Sequence, residues 1–348
     1  MSVANTSILV TGGAGFVGSN LVRRLLDDGA ARVHVVDNLL SAERCNLPED
    51  ARVVFSEGSI ASDVVLRSLA DDYDVVFHLS TFHGNQNSIH DPIADHENNQ
   101  LTTIKLFDHL CGFERLRRVV YSGAGCAVAD KTFGEAQATG EDAPVSLEMD
   151  SPYSISKIMG EFYSVYFHRQ HGLPVVRARF QNVYGPGEIL GAGRWRGTSA
   201  TVWRNVTPTF IYKALHGVPL PVENGGVATR DFIYVGDVVD GLIRCALLGH
   251  PGDVYNLASG RQTTILSLAN LINELTGNVA PLDFRPQRTW DRSGKRFGST
   301  EKAERELGFQ ASVGLRDGLM RTIAWTRNAM PIINRAMQKH AMHVQLSA

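Results

Sequence analysis

The stretch Thr11-Gly12-Gly13-Ala14-Gly15-Phe16-Val17-Gly18 narrows the possible folds more than any other part of the chain. Its glycines recur at GxxGxxG spacing, between the apolar run Ile8-Leu9-Val10 and an amphipathic stretch over 19–28 with Leu21, Val22, Leu25 and Leu26 on one face. A strand feeding a helix through such a turn aims the helix's free N–H groups at an anion. Gly12 allows the tight turn, Gly15 lets the backbone approach a pyrophosphate, and Gly18 permits close helix–strand packing. A second strand over 33–36 leads to Asp37, 19 residues beyond Gly18. A carboxylate there accepts both hydroxyls of a ribose and repels a 2′-phosphate, so the loop reads as a site for NAD rather than NADP. The competing reading is a glycine-rich turn beside an ordinary surface Asp, and the coincidence of elements weighs against it.

The alternation of short apolar runs and amphipathic stretches continues over 53–55, 75–79, 101–111, 119–122, 153–170 and 175–180. That is the βαβ pattern of a parallel sheet. It predicts an α/β fold, a Rossmann-type doubly wound parallel sheet, with a smaller C-terminal substrate-binding lobe. After Tyr184 the pattern loosens, and Gly185-Pro186-Gly187 opens a segment rich in Gly, Arg and Trp. Residues 1–186 are assigned to the NAD-binding domain. A strand over 231–235 and a helix over 238–248 are expected to return to it within 230–262. Residues 187–229 and 263–330 form the substrate lobe, and 331–348 a C-terminal tail.

With 348 residues, 43% hydrophobic and 20% charged, the chain can bury a large core. A formal net charge of −2 and the lack of a Lys/Arg block argue against nucleic acid or an anionic membrane as partner. No apolar run approaches the roughly 20 residues that span a bilayer. Residues 1–6 lack the basic segment of a signal peptide. Cys45, Cys111, Cys126 and Cys245 have neither CxxC spacing nor the density of a disulfide framework. A reducing, cytoplasmic setting and no bound metal are expected; His78, His83, His90 and His96 show no repeating ligand spacing.

Tyr153-Ser154-Ile155-Ser156-Lys157 places Tyr and Lys at i and i+4, on one helix face. There an ammonium can lower the phenol's pKa, and the phenolate can take a proton from a substrate hydroxyl during hydride transfer. A surface helix pair is the bland alternative. The position of the pair, opening the helix after the strand that ends near Ser122, argues for chemistry.

TGGAGFVG, VVDN, FHLS, ENNQLTT, YSISK, RFQNVYGP and TRDFIYVGDVV follow one another in the order seen in extended short-chain dehydrogenases. To about Trp325 the chain resembles the nucleotide-sugar epimerase/dehydratase family, with a layout similar to UDP-galactose 4-epimerases. The resemblance implies that Gly12, Gly15, Phe16, Val17, Gly18, Asp37, Asn38, Ser59, Ile60, Leu79, Ser80, Thr81, Asn99, Ser122, Tyr153 and Lys157 line NAD, with Phe180 and Val183 flanking the nicotinamide. Ser59 replaces an acidic residue common near adenine. It further implies a nucleotide-diphosphate sugar as substrate, met by His83, Ser88, Ala124, Asn182, Asn205, Val206, Arg230 and Arg288. Arginine forks suit diphosphate oxygens, although Arg285, Arg288, Arg292, Lys295 and Arg296 leave the second arginine's alignment open. Family habit implies a homodimer built on a four-helix bundle.

The chain departs from the family where a Ser or Thr hydroxyl normally stands beside the catalytic Tyr. Tyr121-Ser122-Gly123-Ala124-Gly125-Cys126 puts that position on Ala124, or on Gly125. Ser122 falls two residues early, where it supports the turn or the cofactor. The Asp-Glu pair of dehydratases is also missing. Cys126 remains as an ionisable group, either a packed thiol or an acid/base for C5 chemistry as in GDP-mannose 3,5-epimerases. Tyr153, Lys157, Cys126 and Ser122 are therefore the catalytic candidates. Trp195, between Arg194 and Arg196, either closes over substrate or packs between lobes. The expected activity is NAD-dependent C4 epimerisation through a 4-keto sugar. A C5 or 3,5-epimerase or dehydratase using Cys126, and a non-catalytic NAD-binding protein, are the alternatives.

Overall fold

The computed structural model describes residues 2–129, 132–291 and 294–344. Seven strands form the central sheet: β1 (Ser7–Thr11), β2 (Arg32–Asp37), β3 (Val53–Glu57), β4 (Val75–His78), β5 (Arg118–Ala124), β6 (Val175–Phe180) and β7 (Val254–Leu257). All pair in parallel, in the spatial order β7-β6-β5-β4-β1-β2-β3. Successive strand residues point to opposite faces, and the core divides accordingly. Ile8, Val10, Val33, Val35, Phe77 and Val120 join one apolar cluster, whereas Leu9, Val36, Val76, Val119 and Tyr121 join the other.

The first cluster is covered by α1 (Phe16–Asp27), through Leu21, Val22 and Leu25. The second is covered by α2 (Thr102–Leu110) and α3 (Pro152–His171), through Leu106, Phe107, Leu110 and Phe167. Strand order reverses between β1 and β4, so the loops leaving their carboxyl ends diverge and open a crevice. The glycine loop and residues 79–83 occupy it.

Beyond α3 lies a separate apolar cluster built from α4 (Val206–Leu215), α6 (Ile265–Thr276) and α7 (Leu315–Gln338), with Phe210, Ile211, Leu268, Ile272, Leu319 and Ile323. Between them, α5 (Val235–Leu247) packs Val238, Val239 and Leu242 onto the first face of the central sheet.

Two sequence expectations need correction. The strand expected over 231–235 does not enter the central sheet: Phe232–Tyr234 pairs in parallel with Asn182–Tyr184 in a two-stranded ribbon. The seventh strand is β7, whose Val-Tyr-Asn-Leu is too short to announce itself between α5 and a turn. The expected boundary at 330/331 falls inside α7, which runs on through Pro331. Ile333, Ala336 and Met337 pack on Ile189, Leu190 and Ala192, and this apolar contact carries the helix past the proline. Residues 345–348 of the expected tail lie outside the described residues. No helix is long and apolar enough to cross a membrane among the described residues.

A dinucleotide and sugar-nucleotide cleft

The glycine loop is shaped by close packing. Gly12 has φ +73°, and a Cβ on it would lie 2.6 Å from Ser80 N, so only glycine fits between β1 and the loop after β4. The loop N–H of Ala14 donates to Asp37 Oδ2 at 3.0 Å, and Leu39 N donates to Oδ1 at 2.9 Å. Burial nevertheless raises the Asp37 carboxyl above its ordinary value. α1 starts at Phe16 without a capping side chain. Its first-turn N–H groups therefore remain for a ligand, and Gly15, Phe16, Val17 and Gly18 all line a cavity of about 400 Å³.

The same cavity is lined by Asp37, Asn38, Ser59, Ile60, Leu79, Ser80, Thr81, Ser122, Phe180 and Val183, and at its other end by Tyr153, Lys157, Ala124 and Cys126. His83, Asn182, Asn205, Val206 and Arg288 border it as well. A dinucleotide fits this donor set: a helix N-terminus for a pyrophosphate and a buried carboxylate for a ribose.

Ser151 caps α3 by accepting from Ser154 N, and Pro152 suits the first turn. Tyr153 and Lys157 are thereby held over the end of β5. Lys157 Nζ donates to Ser122 O at 3.0 Å and contacts Ser122 Oγ at 3.4 Å, while Ser122 Oγ donates to His78 O. Ser122 is thus a support for Lys157, with its hydroxyl turned into the sheet. Burial lowers Lys157 to about 8, opposed by the charge of Asp95, Cys126 and Glu161. The Tyr153 phenol moves opposite to expectation: burial pushes it well above 10, and Cys126 and Asp95 add to the shift. Desolvation outweighs the neighbouring ammonium, which is 5.9 Å from the ring centre and bonded to Ser122.

His83 lies edge-on to Tyr153, with ring centres 5.9 Å apart. Burial lowers it to about 3, with Arg196, Arg204 and Lys157 contributing, so it is neutral at physiological pH. His78 is held between Thr11 and Thr103 hydroxyls in the core.

Three expected site residues do not line this cavity. Asn99 sits behind it, accepting from Phe82 N and Thr81 Oγ1 and donating to Asp95 and Ser156. Ser88 is fully buried and accepts from Tyr153 N, which makes it a support for the start of α3. Arg230, 9% exposed, donates to Thr229 O and Gly294 O and lines an adjoining cavity. Asn182, Asn205, Val206 and Arg288 line both cavities, so the two are continuous. Arg288 pairs with Glu223 and lies over Trp290. Arg292 lies outside the described residues. Trp195 stacks on His343 at 4.6 Å and approaches His340, so it packs against the end of the chain rather than over the cavity.

Sequence reasoning missed Glu188 and Arg204, which also line the cavity. Neither falls in a periodic pattern or a named motif; an acidic residue directly after Gly-Pro-Gly was the available signal.

A parallel sheet with a glycine turn at its crevice, and a Tyr–Lys pair at the far end of one cavity, defines a dinucleotide-dependent enzyme of the short-chain dehydrogenase type. The chain belongs to the NAD dependent epimerase/dehydratase family, whose sequence model matches residues 8–258. A UDP-glucose 4-epimerase of Mycolicibacterium smegmatis is 31% identical over 92% of this chain and 98% of its own length. A dTDP-glucose 4,6-dehydratase of Streptomyces antibioticus is 29% identical, over 92% of each. The Bordetella bronchiseptica enzyme WbmF, solved in complex with NAD+ and UDP, is 63% identical and superposes with a TM-score of 0.88, covering 98% of this chain and 97% of WbmF.

Proposed function

We propose that this protein catalyses C4 epimerisation of a nucleotide-diphosphate sugar. The observation that carries the reading is the acid–base inventory of the cavity. Tyr153 and Lys157 stand at its sugar end, and Asp37 and Glu188 are the only acidic residues among its described lining. Neither lies in the segment after β5, where a dehydratase would place its carboxylate pair. NAD, when bound, supplies a hydride acceptor and donor at its nicotinamide. The Lys157 ammonium, fixed on Ser122, and the positive charge that NAD brings would counter the burial that raises the Tyr153 phenol. Tyr153, as the phenolate, then takes the C4 hydroxyl proton. The 4-keto sugar then turns over in the cavity so that C4 takes hydride back on its other face, and Tyr153 returns the proton to the C4 oxygen. Asn182, Asn205, Val206, Arg230 and Arg288 hold the diphosphate across the two joined cavities.

Cys126 supports a second reading. It lines the cavity and packs with Tyr153 and Ala124, which supports its thiol as the group that moves a proton at C5 once C4 is oxidised. One experiment separates the two: UDP-, dTDP-, GDP- and CDP-sugars are incubated with the protein in deuterated water and followed by NMR. C4 inversion without carbon-bound deuterium is expected. Deuterium at C5 would replace the first reading by the second. The protein is further proposed to work as a homodimer in a reducing compartment. Ile155, Phe162 and Tyr166 leave an apolar stripe about half exposed on α3, and sedimentation should give twice the chain mass.

A further inference from the structure

Glu188 is a buried acid on the cavity wall that the reaction above does not use. It is 4% exposed. Its Oε1 accepts from Asn205 Nδ2 at 2.6 Å, while its Oε2 is buried without a hydrogen-bond partner among the described residues. A Cβ on the preceding Gly187 would lie 2.9 Å from Asn20 Nδ2 and 3.8 Å from Phe16 Cδ2. The chain therefore runs against the first turn of α1, where a dinucleotide pyrophosphate belongs. On its other side stands Asn205, proposed above to meet the substrate diphosphate.

A carboxylate between two diphosphate sites meets like charge from both, whereas a carboxylic acid offers an O–H donor. We propose that Glu188 binds ligand as the neutral acid, its Oε2–H donating to a diphosphate oxygen, so that binding takes up one proton above neutral pH. The inference deepens the nucleotide-sugar reading and rests on it for the substrate arm. Asn205 fixes which oxygen carries the proton, because its N–H needs an unprotonated partner at Oε1.

Charged groups are present on each neighbouring element. Arg204, on Glu188's own segment, lowers the carboxyl's pKa. Arg23 on α1 is tied to Asn46 O and Ser19 O. Glu43 accepts from Gly193 N and pairs with Lys339. Burial prevails over Arg204 and holds the Glu188 carboxyl at about 7. Its folded pKa is thus raised, and a bound diphosphate raises it further. Affinity should then fall as pH rises above about 7.

The test compares the holoenzyme with Glu188→Gln. UDP is titrated at about pH 8 in buffers of different ionisation enthalpy, and NAD release is followed by ultrafiltration at about pH 6 and 9. In the UDP arm, the wild type should take up close to one proton per UDP and lose about tenfold in affinity per pH unit above neutrality. Glu188→Gln should do neither. The titration of UDP's own phosphate is common to both proteins and cancels. In the NAD arm, faster release at high pH in the wild type only would name the cofactor's pyrophosphate as the partner. Proton uptake that persists in Glu188→Gln, or pH-independent behaviour of the wild type in both arms, overturns the proposal. Failure of UDP to bind at all counts against the nucleotide reading, and the NAD arm then decides Glu188 alone.

Discussion

The glycine loop after β1 and the segment 187–205 line the same cavity, but their polar groups are treated differently. Around the loop the buried carboxylate is met from within: Asp37 takes two backbone N–H groups, and Gly12 N donates to Val36 O. In the segment, Glu188 Oε2 and Arg204 Nε, of two residues that line the cavity, and Arg196 Nε and Nη2, of one that does not, are buried without hydrogen-bond partners among the described residues. Arg204 also holds φ at +33°, a conformation that non-glycine residues seldom adopt. Unpaired buried groups and backbone strain each cost on the order of 1–3 kcal/mol. The first region thus satisfies its carboxylate from within and leaves only backbone N–H groups for a ligand. The second leaves a side-chain oxygen of Glu188, a residue of the cavity wall, without a partner among the described residues.

Breaking the self-contained region should have the largest effect. Gly12→Val forces a β-branched residue into positive φ and drives its Cβ into Ser80. A loss of about 3 kcal/mol or more in urea unfolding is expected, together with loss of NAD on gel filtration. A variant that unfolds like the wild type would mean that the loop can yield, and the contrast between the two regions would weaken.

Tyr153→Phe comes next and touches chemistry alone. The ring keeps its contacts with His83 and its neighbours, so thermal unfolding should be unchanged. Turnover should drop by on the order of 100-fold. A rate close to wild type would remove Tyr153 from the reaction, whereas no turnover by either protein would favour a non-catalytic NAD-binding protein.

The contrast also explains what was legible in the sequence. β1, α1 and β2 could be read because glycine geometry, strand period and a terminal carboxylate impose one another locally. Tyr153 and Lys157 could be read because four residues make one helical turn. Phe232–Tyr234 was misplaced because an apolar run of that length has no period that says which strand it joins. Glu188, Ser88 and Asn99 depend on partners far along the chain, at Asn205, Tyr153 and Phe82, and no local pattern encodes those meetings.

Glu188→Gln sharpens the comparison from the other side. The carboxyl's folded value of about 7 lies above the ordinary 4.5. Glu188 therefore costs stability above pH 7, and the cost vanishes as pH falls below about 4.5. The variant should gain about 1–3 kcal/mol at pH 8 and little at pH 4.5, as measured by urea unfolding at both values. A destabilised variant at pH 8 would make Glu188 a structural anchor, and the segment would then resemble the glycine loop.

The smallest effect is expected at Cys126, which lies where the two regions meet the sugar end. Its thiol is half-buried, and the residue packs with Ala124, Met149 and Tyr153. Replacing it with Ala removes one sulfur from a partly open site, so the transfer and cavity terms together should stay below about 1 kcal/mol. If the thiol only packs, Cys126→Ala keeps 4-epimerisation within a few-fold of wild type, because Tyr153 and Lys157 retain their supports at His83 and Ser122. In deuterated water neither protein should then place deuterium on carbon, since the C4 hydrogen moves as hydride without meeting solvent. If instead the thiolate removes the C5 proton, the wild type incorporates deuterium and Cys126→Ala does not, while oxidation at C4 still proceeds and bound NADH accumulates at 340 nm. That outcome would make Cys126 a second acid/base group, and the substitution would leave stability nearly untouched while abolishing exchange.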